Sequence, residues 1–282
     1  MPAGGVRISW CSSIARPKGA LEEIAQARGR SARGGRVGDF DREARHMEKV
    51  ILTWSGGKDS AMALYELKKE GRHEVVALVT TVTCGYERVS MHGVRRALLE
   101  RQADSLGLAL DEISLTPHAT DQEFEEKMRG RLERYPAQGV HRVAFGDIFL
   151  EDLRRYREEN LSKAGMEGVF PLWKRDTAEL ARAFIGLGFK AVITCVDSQA
   201  LAEAFVGREF DERLLSELPP KVDPCGENGE FHSFVYDGPI FRKKVSFARG
   251  DIVLRDERFY FCDLIPEPEW EDLQKRAEGD RP

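Results

Sequence analysis

Residues 50–60 read VILTWSGGKDS, and residues 61–67, which follow directly, read AMALYEL. The apolar start is typical of a buried strand, and the composition after Ser60 is typical of a helix. A glycine-rich turn between a strand and a helix directs free backbone N–H groups and the positive end of the helix dipole at one point. We therefore expect the turn formed by residues 55–60 to bind phosphate.

This turn differs from the common nucleotide-binding loop, because a G-x-x-x-x-G-K-[ST] motif would need glycine at Leu52 and Ser or Thr at Asp59. Its sequence, SGGKDS, instead resembles the SGGxDS loop of the PP-loop ATP pyrophosphatases. Members of that family cleave ATP between the α- and β-phosphates and usually adenylate a substrate. The structural alternative is a tight turn whose glycines only permit positive φ. The added Lys, Asp and two hydroxyls favour phosphate binding.

Length and composition narrow the class of protein. A chain of 282 residues with 41% hydrophobic content can bury one large core, or one core and a small satellite domain. No apolar run approaches the ~18 residues that a membrane span needs. The five cysteines are widely spaced and form no C-x-x-C pair, which argues against zinc and a redox dithiol. With no signal-peptide pattern, we expect a soluble, cytoplasmic protein with reduced thiols.

The first 46 residues differ in charge from the rest of the chain. They hold nine Lys+Arg against five Asp+Glu, whereas residues 47–282 hold 34 against 43. Residues 1–46 also lack a sustained apolar period, so we expect a disordered tail, or a natural start at Met47. A transit peptide is the functional alternative, but the five acidic residues within residues 1–46 argue against one. The acidic body makes nucleic acid an unlikely partner.

From residue 47 onward, apolar runs alternate with helical patterns. This alternation predicts an α/β fold, a doubly wound parallel sheet of five strands with helices on both faces. Glycines stand just beyond four of the helical runs, where a left-handed cap favours glycine: Gly71, Gly107, Gly165 and Gly188. The predicted strands are 50–54, 74–83, 109–115, 140–146 and 189–196. The predicted helices are 60–70, 94–106, 120–135, 149–164 and 175–187.

The pattern changes after about residue 205. A short helix near 211–218 is followed by a Gly-rich acidic loop and by two short β-like runs, 252–254 and 259–261. These features predict a smaller α+β lobe with antiparallel strands. We therefore expect an ATP-binding domain over 47–205 and a substrate-side lobe over 206–282.

Ligands of an open parallel sheet collect beyond the carboxyl ends of its strands, where the strand order reverses. The loop after the second predicted strand contains His92, which either faces a nucleotide or caps the following helix. The fourth predicted strand ends in Gly146 and Asp147, which we place on the nucleotide side. Cys195, at the end of the fifth, is more often a small core residue than a nucleophile.

A second dense group of polar residues spans 223–241, DPCGENGEFHSFVYDGPIF. An acidic turn that enters a strand would explain its glycines. It would not explain Glu230 and His232, which stand at alternate positions and so share one face of an extended chain. Carboxylates and an imidazole are suited to recognising a polar substrate or transferring protons. We therefore predict a second functional segment here.

The SGGKDS turn, Pro171-Leu172-Trp173 with Arg175-Asp176, and residues 225–241 together resemble the diphthine–ammonia ligase family. The resemblance spans most of residues 48–245 and implies an adenine nucleotide α-hydrolase-like fold. It also implies that a substrate carboxylate attacks the α-phosphorus of ATP, and that ammonia then displaces AMP. The family more often reads GEGGE(Y/F)ET where this chain has Asn228 and His232-Ser233. This departure bears on whether diphthine is the acceptor, and it leaves the expected ATP chemistry unchanged.

The resemblance implies roles for single residues. The cofactors implied are ATP and Mg²⁺, and the partners are ammonia and a small-molecule or protein-borne carboxylate. Lys58, Glu227, Glu230 and His232 are predicted to be catalytic, the last three on the acceptor side, where one of them binds ammonium or takes its proton. The predicted nucleotide-binding residues are Ser55, Gly56, Gly57, Lys58, Asp59, Ser60, His92, Gly146 and Asp147. A different acceptor such as a tRNA base, and a non-catalytic ATP sensor, stay open as alternatives.

Overall fold

A computed structural model of the chain describes residues 47–85, 87–89 and 93–268. The predictions for residues 1–46 and for His92 therefore lie outside the described residues. The strands are β1 (Glu48–Thr53), β2 (His73–Thr83), β3 (Arg88–Val89), β4 (Ala109–Leu115), β5 (Arg142–Ala144), β6 (Glu167–Val169), β7 (Lys190–Asp197), β8 (Phe231–Asp237), β9 (Phe247–Arg255) and β10 (Phe259–Pro266). The helices are α1 (Lys58–Glu70), α2 (Arg96–Leu106), α3 (Asp121–Leu132), α4 (Glu151–Lys163), α5 (Thr177–Gly186) and α6 (Glu212–Glu217).

Five parallel strands form the first sheet, in the order β4-β2-β1-β5-β6. The chain first builds outward from β1 to β2 and β4, and then returns to place β5 on the other side of β1. The strand order therefore reverses between β1 and β5, which is where an α/β sheet forms a ligand crevice. The predicted α/β fold with a five-stranded parallel sheet is confirmed.

A short antiparallel strand, β3, extends this sheet beyond the end of β1. Val82 of β2 pairs with Ser114 of β4 on one side and with Val89 of β3 on the other. The pairing of β1 with β2 ends earlier, at Thr53 and Val79. Because a strand has two edges, β3 occupies the β1 side of β2 just past the point where β1 ends. The part of β2 that extends beyond β1 is thus paired with a strand on both edges.

Both faces of the parallel sheet are buried. Val50 and Leu52 of β1 belong to one apolar cluster, with α1, α2 and α5, whereas Ile51 belongs to a second cluster, with α3 and α4. Alternate residues of a strand point to opposite faces, so helices cover both sides of β1, as a doubly wound sheet requires. The first cluster also includes Phe234 and Leu264 of the second sheet.

The second sheet is antiparallel, in the order β8-β7-β10-β9. The prediction that residues 189–196 form the fifth parallel strand is wrong, because β7 pairs antiparallel with β8 and β10. The fifth parallel strand is β6, which the sequence analysis missed. A division of the chain at residue 205 stays a prediction, and it would separate β7 from its sheet. Among the described residues, no helix is long and apolar enough to cross a bilayer.

Candidate functional site

Three segments far apart in the sequence meet in one cleft at the point where the strand order reverses. They are the SGGKDS turn after β1, the Gly146-Asp147 pair after β5, and residues 226–233 at the start of β8. The first two segments come from neighbouring parallel strands, so their carboxyl ends lie side by side. The third comes from the antiparallel sheet. The lining residues are Thr53, Ser55, Gly57, Lys58, Asp59, Ser60, Gly146, Asp147, Arg157, Gly226, Phe231, His232 and Ser233.

The SGGKDS turn is held by its own hydroxyl groups. The Gly57 N–H donates to Ser55 Oγ over 3.2 Å, and the Ser60 hydroxyl donates to the Gly57 carbonyl over 2.9 Å. Helix α1 begins at Lys58, and Gly57 precedes it in extended conformation. The first N–H groups of a helix lack intrahelical partners and carry the positive end of its dipole. The turn therefore presents this helix terminus to the cleft, as the sequence predicts.

The first turn of α1 receives a cap from the other sheet. The Lys58 N–H donates to Ser233 Oγ on β8 over 3.2 Å, and Ser233 is 3% exposed. Hydroxyl oxygens are common acceptors for N–H groups at the start of a helix. Ser233 is a cleft residue that the sequence analysis did not single out, since it stands 175 positions away from its partner. The sequence feature that could have indicated it is its place as the hydroxyl residue at the end of the polar stretch 226–233, GENGEFHS.

Lys58 and Asp59 form an ion pair inside the cleft. The Lys58 Nζ lies 2.8 Å from both carboxylate oxygens of Asp59, and Lys58 is 4% exposed. Burial is the largest single effect and by itself would lower the pKa of Lys58, but the neighbouring acidic groups, Asp59 first among them, together outweigh burial and the net pKa is raised. Burial raises the pKa of Asp59, and the Lys58 charge counteracts this. Lys58 therefore carries a positive charge at neutral pH.

The end of β5 packs directly on the first turn of α1. A Cβ at Gly146 would lie 2.8 Å from the carbonyl carbon of Asp59, so only glycine allows this approach. The next residue, Asp147, is buried and bound by Arg157 of α4, with Nη2 to Oδ1 at 2.9 Å and Nε to Oδ2 at 2.5 Å. The Arg157 guanidinium also lies over the Phe145 ring, 4.4 Å from its centroid. Arg157 is a cleft residue that the sequence analysis did not single out.

Glu227 is a buried carboxyl that interacts electrostatically with Asp59 and Asp147 of the cleft but does not itself line it. It is 1% exposed, and its Oε1 accepts the Ile148 N–H over 2.8 Å. Its Oε2 has no hydrogen-bond partner among the described residues. Burial, and then the nearby Asp59 and Asp147 carboxylates, raise the pKa of Glu227 to about 8. Glu227 is therefore mostly neutral at pH 7, and its Oε2 becomes available as an acceptor when the carboxyl loses its proton.

Glu230, which the sequence analysis also predicted to be catalytic, faces its own loop. Its Oε1 accepts from the Asp223 N–H and the Asn228 side-chain amide, and its Oε2 accepts from the Asn228 N–H, each over 3.0 Å. Glu230 does not line the cleft. Three hydrogen bonds to one carboxylate fix the loop that carries Glu227. Whether Glu230 also acts in the reaction stays a prediction.

His232 lies on β8, opposite Cys195 of β7 in the sheet register, and it lines the cleft. It is 8% exposed. Burial, and then the positive charge of Lys58, lower the pKa of His232 to about 4. The imidazole is therefore neutral at physiological pH. At the position where the resembled family more often has a glutamate, this chain places an uncharged ring.

The cysteines near the cleft are thiols and not thiolates. Burial raises the pKa of both Cys195 and Cys225 well above the usual range. The Cys225 thiol donates to the Thr177 carbonyl, with 3.3 Å between sulfur and oxygen. The sequence interpretation of Cys195 as a small core residue agrees with its 2% exposure.

Most of the residues predicted for the site thus lie together, but three of the described ones do not line the cleft: Gly56, Glu227 and Glu230. Gly56 lies behind the cleft, where its positive φ of 79° requires glycine. Glu230 lies beneath the loop that it binds. Among the described residues, no group of three or more His, Cys, Asp or Glu side chains is arranged to hold a metal ion.

The matching family models and the similar sequences agree on one family. Residues 48–168 match the family model described as the diphthamide synthase N-terminal domain, and residues 176–263 match that of the C-terminal domain. Human diphthine–ammonia ligase is 27% identical over 229 residues, covering 73% of this chain and 85% of that protein. The Schizosaccharomyces pombe diphthine–ammonia ligase is 26% identical over 259 residues, covering 82% of this chain and 42% of that protein. A solved structure, the U34-tRNA thiolase NcsA from Methanococcus maripaludis with its [4Fe-4S] cluster, aligns with a TM-score of 0.33 and 16% identity, covering 51% of this chain and 60% of that one.

Proposed function

This chain belongs to the diphthamide synthase family, and we propose that it is an ATP-dependent ligase that amidates a carboxylate with ammonia. The proposed reaction has two steps. The acceptor carboxylate attacks the α-phosphorus of ATP and pyrophosphate leaves; ammonia then attacks the acyl adenylate and AMP leaves. The relatives named above are diphthine–ammonia ligases, so a diphthine-like carboxylate, small or protein-borne, is the class of acceptor that we propose.

One observation supports this proposal above the others. The turn that resembles a pyrophosphate-binding loop and the acidic segment that resembles an acceptor site meet in the same cleft. Within it, the start of α1 and the Lys58 ammonium supply N–H groups and positive charge for the leaving pyrophosphate. Preorganised donors of this kind stabilise charge that develops in a transition state. Asp147 and Gly146, on the adjacent strand end, would lie beside the nucleotide.

We propose that Glu227 serves the ammonia step. Ammonium must lose a proton before its nitrogen can attack, and the ionised form of Glu227, whose share grows as the pH approaches 8, accepts that proton more readily than an ordinary carboxylate. The unpartnered Oε2 of Glu227 offers a hydrogen-bond acceptor for the incoming nitrogen. His232 and Ser233 give this chain a less acidic acceptor side than the family pattern, because a neutral imidazole stands in place of a carboxylate.

We propose that Mg²⁺ accompanies ATP as its counter-ion. The described residues form no cage for a metal, which fits an ion bound through substrate phosphates and one or two carboxylates. Asp59, which lines the cleft beside the phosphate turn, is the carboxylate best placed to contribute. When bound, the ion would neutralise charge on the phosphate oxygens.

Product analysis with α-labelled ATP tests the function directly. The full-length protein is incubated with labelled MgATP, ammonium and a panel of carboxylate acceptors that includes diphthine on its translation factor. We expect labelled AMP and free pyrophosphate only when an acceptor is present, and an amide product only when ammonium is also present. Formation of ADP would contradict the proposal. ATP that is bound but returned unchanged with every acceptor would favour the sensor alternative.

Sulfur transfer to tRNA is less well supported. That chemistry needs a reactive thiolate, and the described cysteines with shifted pKa values, Cys195, Cys225 and Cys262, are all shifted upward, toward the thiol. The net negative charge of residues 47–282 also disfavours binding to a nucleic acid.

A further inference from the structure

A fully buried glutamine, Gln102 of α2, lies behind the phosphate turn and outside the cleft lining. The side-chain amide makes three hydrogen bonds. Its Nε2 donates to the Gly56 carbonyl over 3.0 Å and to the Val235 carbonyl over 2.5 Å, and its Oε1 accepts from the Trp54 Nε1–H over 2.9 Å. Both amide hydrogens and the amide oxygen are therefore used, in a site that is 0% exposed.

These bonds fix the peptide that joins Gly56 to Gly57. The Gly56 carbonyl accepts from Gln102 and also from the Val235 N–H, the latter over 2.9 Å. A trans peptide is planar, and its N–H points opposite to its carbonyl. Because the carbonyl is held toward Gln102 and β8, the Gly57 N–H is directed to the other side, where it donates to Ser55 Oγ over 3.2 Å, and both Ser55 and Gly57 line the cleft.

Trp54 fixes which way the amide is turned. The indole can only donate, so the Gln102 oxygen must face it and the amide NH₂ must face the two carbonyls. Trp54 is 0% exposed and immediately precedes the turn. The three groups that Gln102 joins thus come from the end of β1, the phosphate turn and β8. A side chain without two N–H donors cannot donate to both carbonyls.

We propose that Gln102 is a positioning residue for the nucleotide phosphates: it orients the Gly56–Gly57 peptide so that the Gly57 N–H holds the Ser55 hydroxyl on the cleft side of the turn. This inference rests on the proposed function, because it assumes that the turn binds ATP. It assigns Gln102 no contact with the nucleotide. Its effect passes through the peptide that it holds.

The test compares Gln102→Met with Ser105→Ala in the full-length protein. Methionine keeps the length and volume of the side chain but removes all three hydrogen bonds. Ser105 lies one turn further along α2, is 1% exposed, and also ties α2 to the C-terminal part of the chain, through the Lys243 N–H over 3.0 Å. Its side-chain hydrogen bonds go to Lys243 and not to the turn, so it controls for a general loss of packing between the two parts.

Calorimetric titration with the non-hydrolysable analogue α,β-methylene-ATP and Mg²⁺ gives the readout, at a temperature well below each variant's melting temperature. We expect Gln102→Met to raise the Kd at least tenfold and to raise the KM for ATP, while the KM for the acceptor stays within twofold. Ser105→Ala should leave the Kd within twofold. Equal binding by Gln102→Met and the wild type would overturn the inference, whereas a wild type that does not bind the analogue would overturn the proposed function instead.

If Gln102→Met fails to fold, Trp54→Phe answers the same question. Phenylalanine fills most of the indole volume but cannot donate to Oε1, so the amide is free to turn its oxygen toward the carbonyls. We expect the Kd for the analogue to rise two- to fivefold. An unchanged Kd in a folded Trp54→Phe variant would show that the orientation of the amide has no influence on the turn.

Discussion

At the scale of single residues, the raised pKa of Glu227 gives the site a pH dependence whose direction can be worked out. Its folded-state pKa, about 8, lies above the ordinary value of 4.5 because of burial. The folded protein then holds a proton that the unfolded chain has lost between these two values. The stability that comes from the neutral carboxyl is complete below pH 4.5 and decreases as the pH rises toward 8.

Replacing Glu227 by Gln should therefore flatten two pH profiles. We expect the melting temperature of the wild type to fall more steeply between pH 5 and pH 8.5 than that of Glu227→Gln, as measured by scanning calorimetry. We also expect the amidation rate of the wild type to rise with pH, through a limb near 8, and this limb to disappear in the variant. Glu74→Gln, at an exposed position on β2, is the matched control. If the melting temperature and the amidation rate depend on pH in the same way in Glu227→Gln and in the wild type, Glu227 does not titrate in this pH range.

Lys58 is expected to contribute through its charge. Lys58→Met keeps an apolar stem of similar length but removes the ammonium and leaves Asp59 without its 2.8 Å partner. Loss of one charged or donor group at a developing oxyanion typically costs about 10²–10³-fold in rate, and we expect a loss of that order in AMP release. Lys69→Met, on the same helix with 65% of its side chain exposed, should stay within twofold of the wild type. A fall in Lys58→Met of less than threefold would exclude an essential role for the ammonium.

The sequence pattern identified some of the residues in the cleft region and not others. Lys58 and Asp147 were found because they follow strand ends, and the chemistry at a strand end can be inferred from residue type. Glu230 was interpreted by its place on a strand face, but hydrogen bonds to its own loop decide where its carboxylate points. Ser233, Arg157 and Gln102 act through partners that are distant in the chain, and periodicity carries no information about such pairs.

At the scale of elements, replacing each of two glycines by alanine tests whether the contact between the end of β5 and the start of α1 shapes the site. Gly146→Ala would place a Cβ 2.8 Å from backbone atoms of Asp59, which cannot rotate away. We expect this variant to bind ATP at least tenfold more weakly and to melt earlier. Gly130, within α3, has nothing within 4 Å of its would-be Cβ. Because alanine is favoured over glycine in a helix, Gly130→Ala should stabilise the protein by about 0.5–1 kcal/mol.

Calorimetric melting and titration with the ATP analogue on both variants check this prediction. Equal ATP affinities for the two variants would show that the β5–α1 contact does not shape the site.

The helices and strands show which structural features a local sequence pattern can predict. The glycines predicted to end four helical runs all have positive φ: Gly71, Gly107, Gly165 and Gly188. Strand β6 was missed because three residues, Glu167–Val169, are too short for a periodic signal. Strand β7 was placed in the wrong sheet because seven of its eight residues are buried. A fully buried strand has the same composition in a parallel and in an antiparallel sheet.

At the scale of the whole molecule, the two sheets share one core. The larger apolar cluster joins Leu52 and Met62 of the first part to Val192 and Phe234 of the second. We therefore expect the chain to unfold in a single transition, with equal calorimetric and van't Hoff enthalpies. Two separated transitions in scanning calorimetry would contradict this. A shared core also means that an ATP analogue should raise the melting temperature of the entire protein and not of one part alone.

The hydroxyl that Ser233 lends to the start of α1 has a consequence for protein engineering. A strand, a glycine turn and a helix are often treated as a portable cassette that can be grafted into another scaffold. Here such a graft, taken as residues 48–70, would leave behind the cap that β8 supplies to Lys58 and the backbone partner that it supplies to Gly56. A designer who moves this loop must transplant β8 with it, or must build a substitute for that strand in the new host.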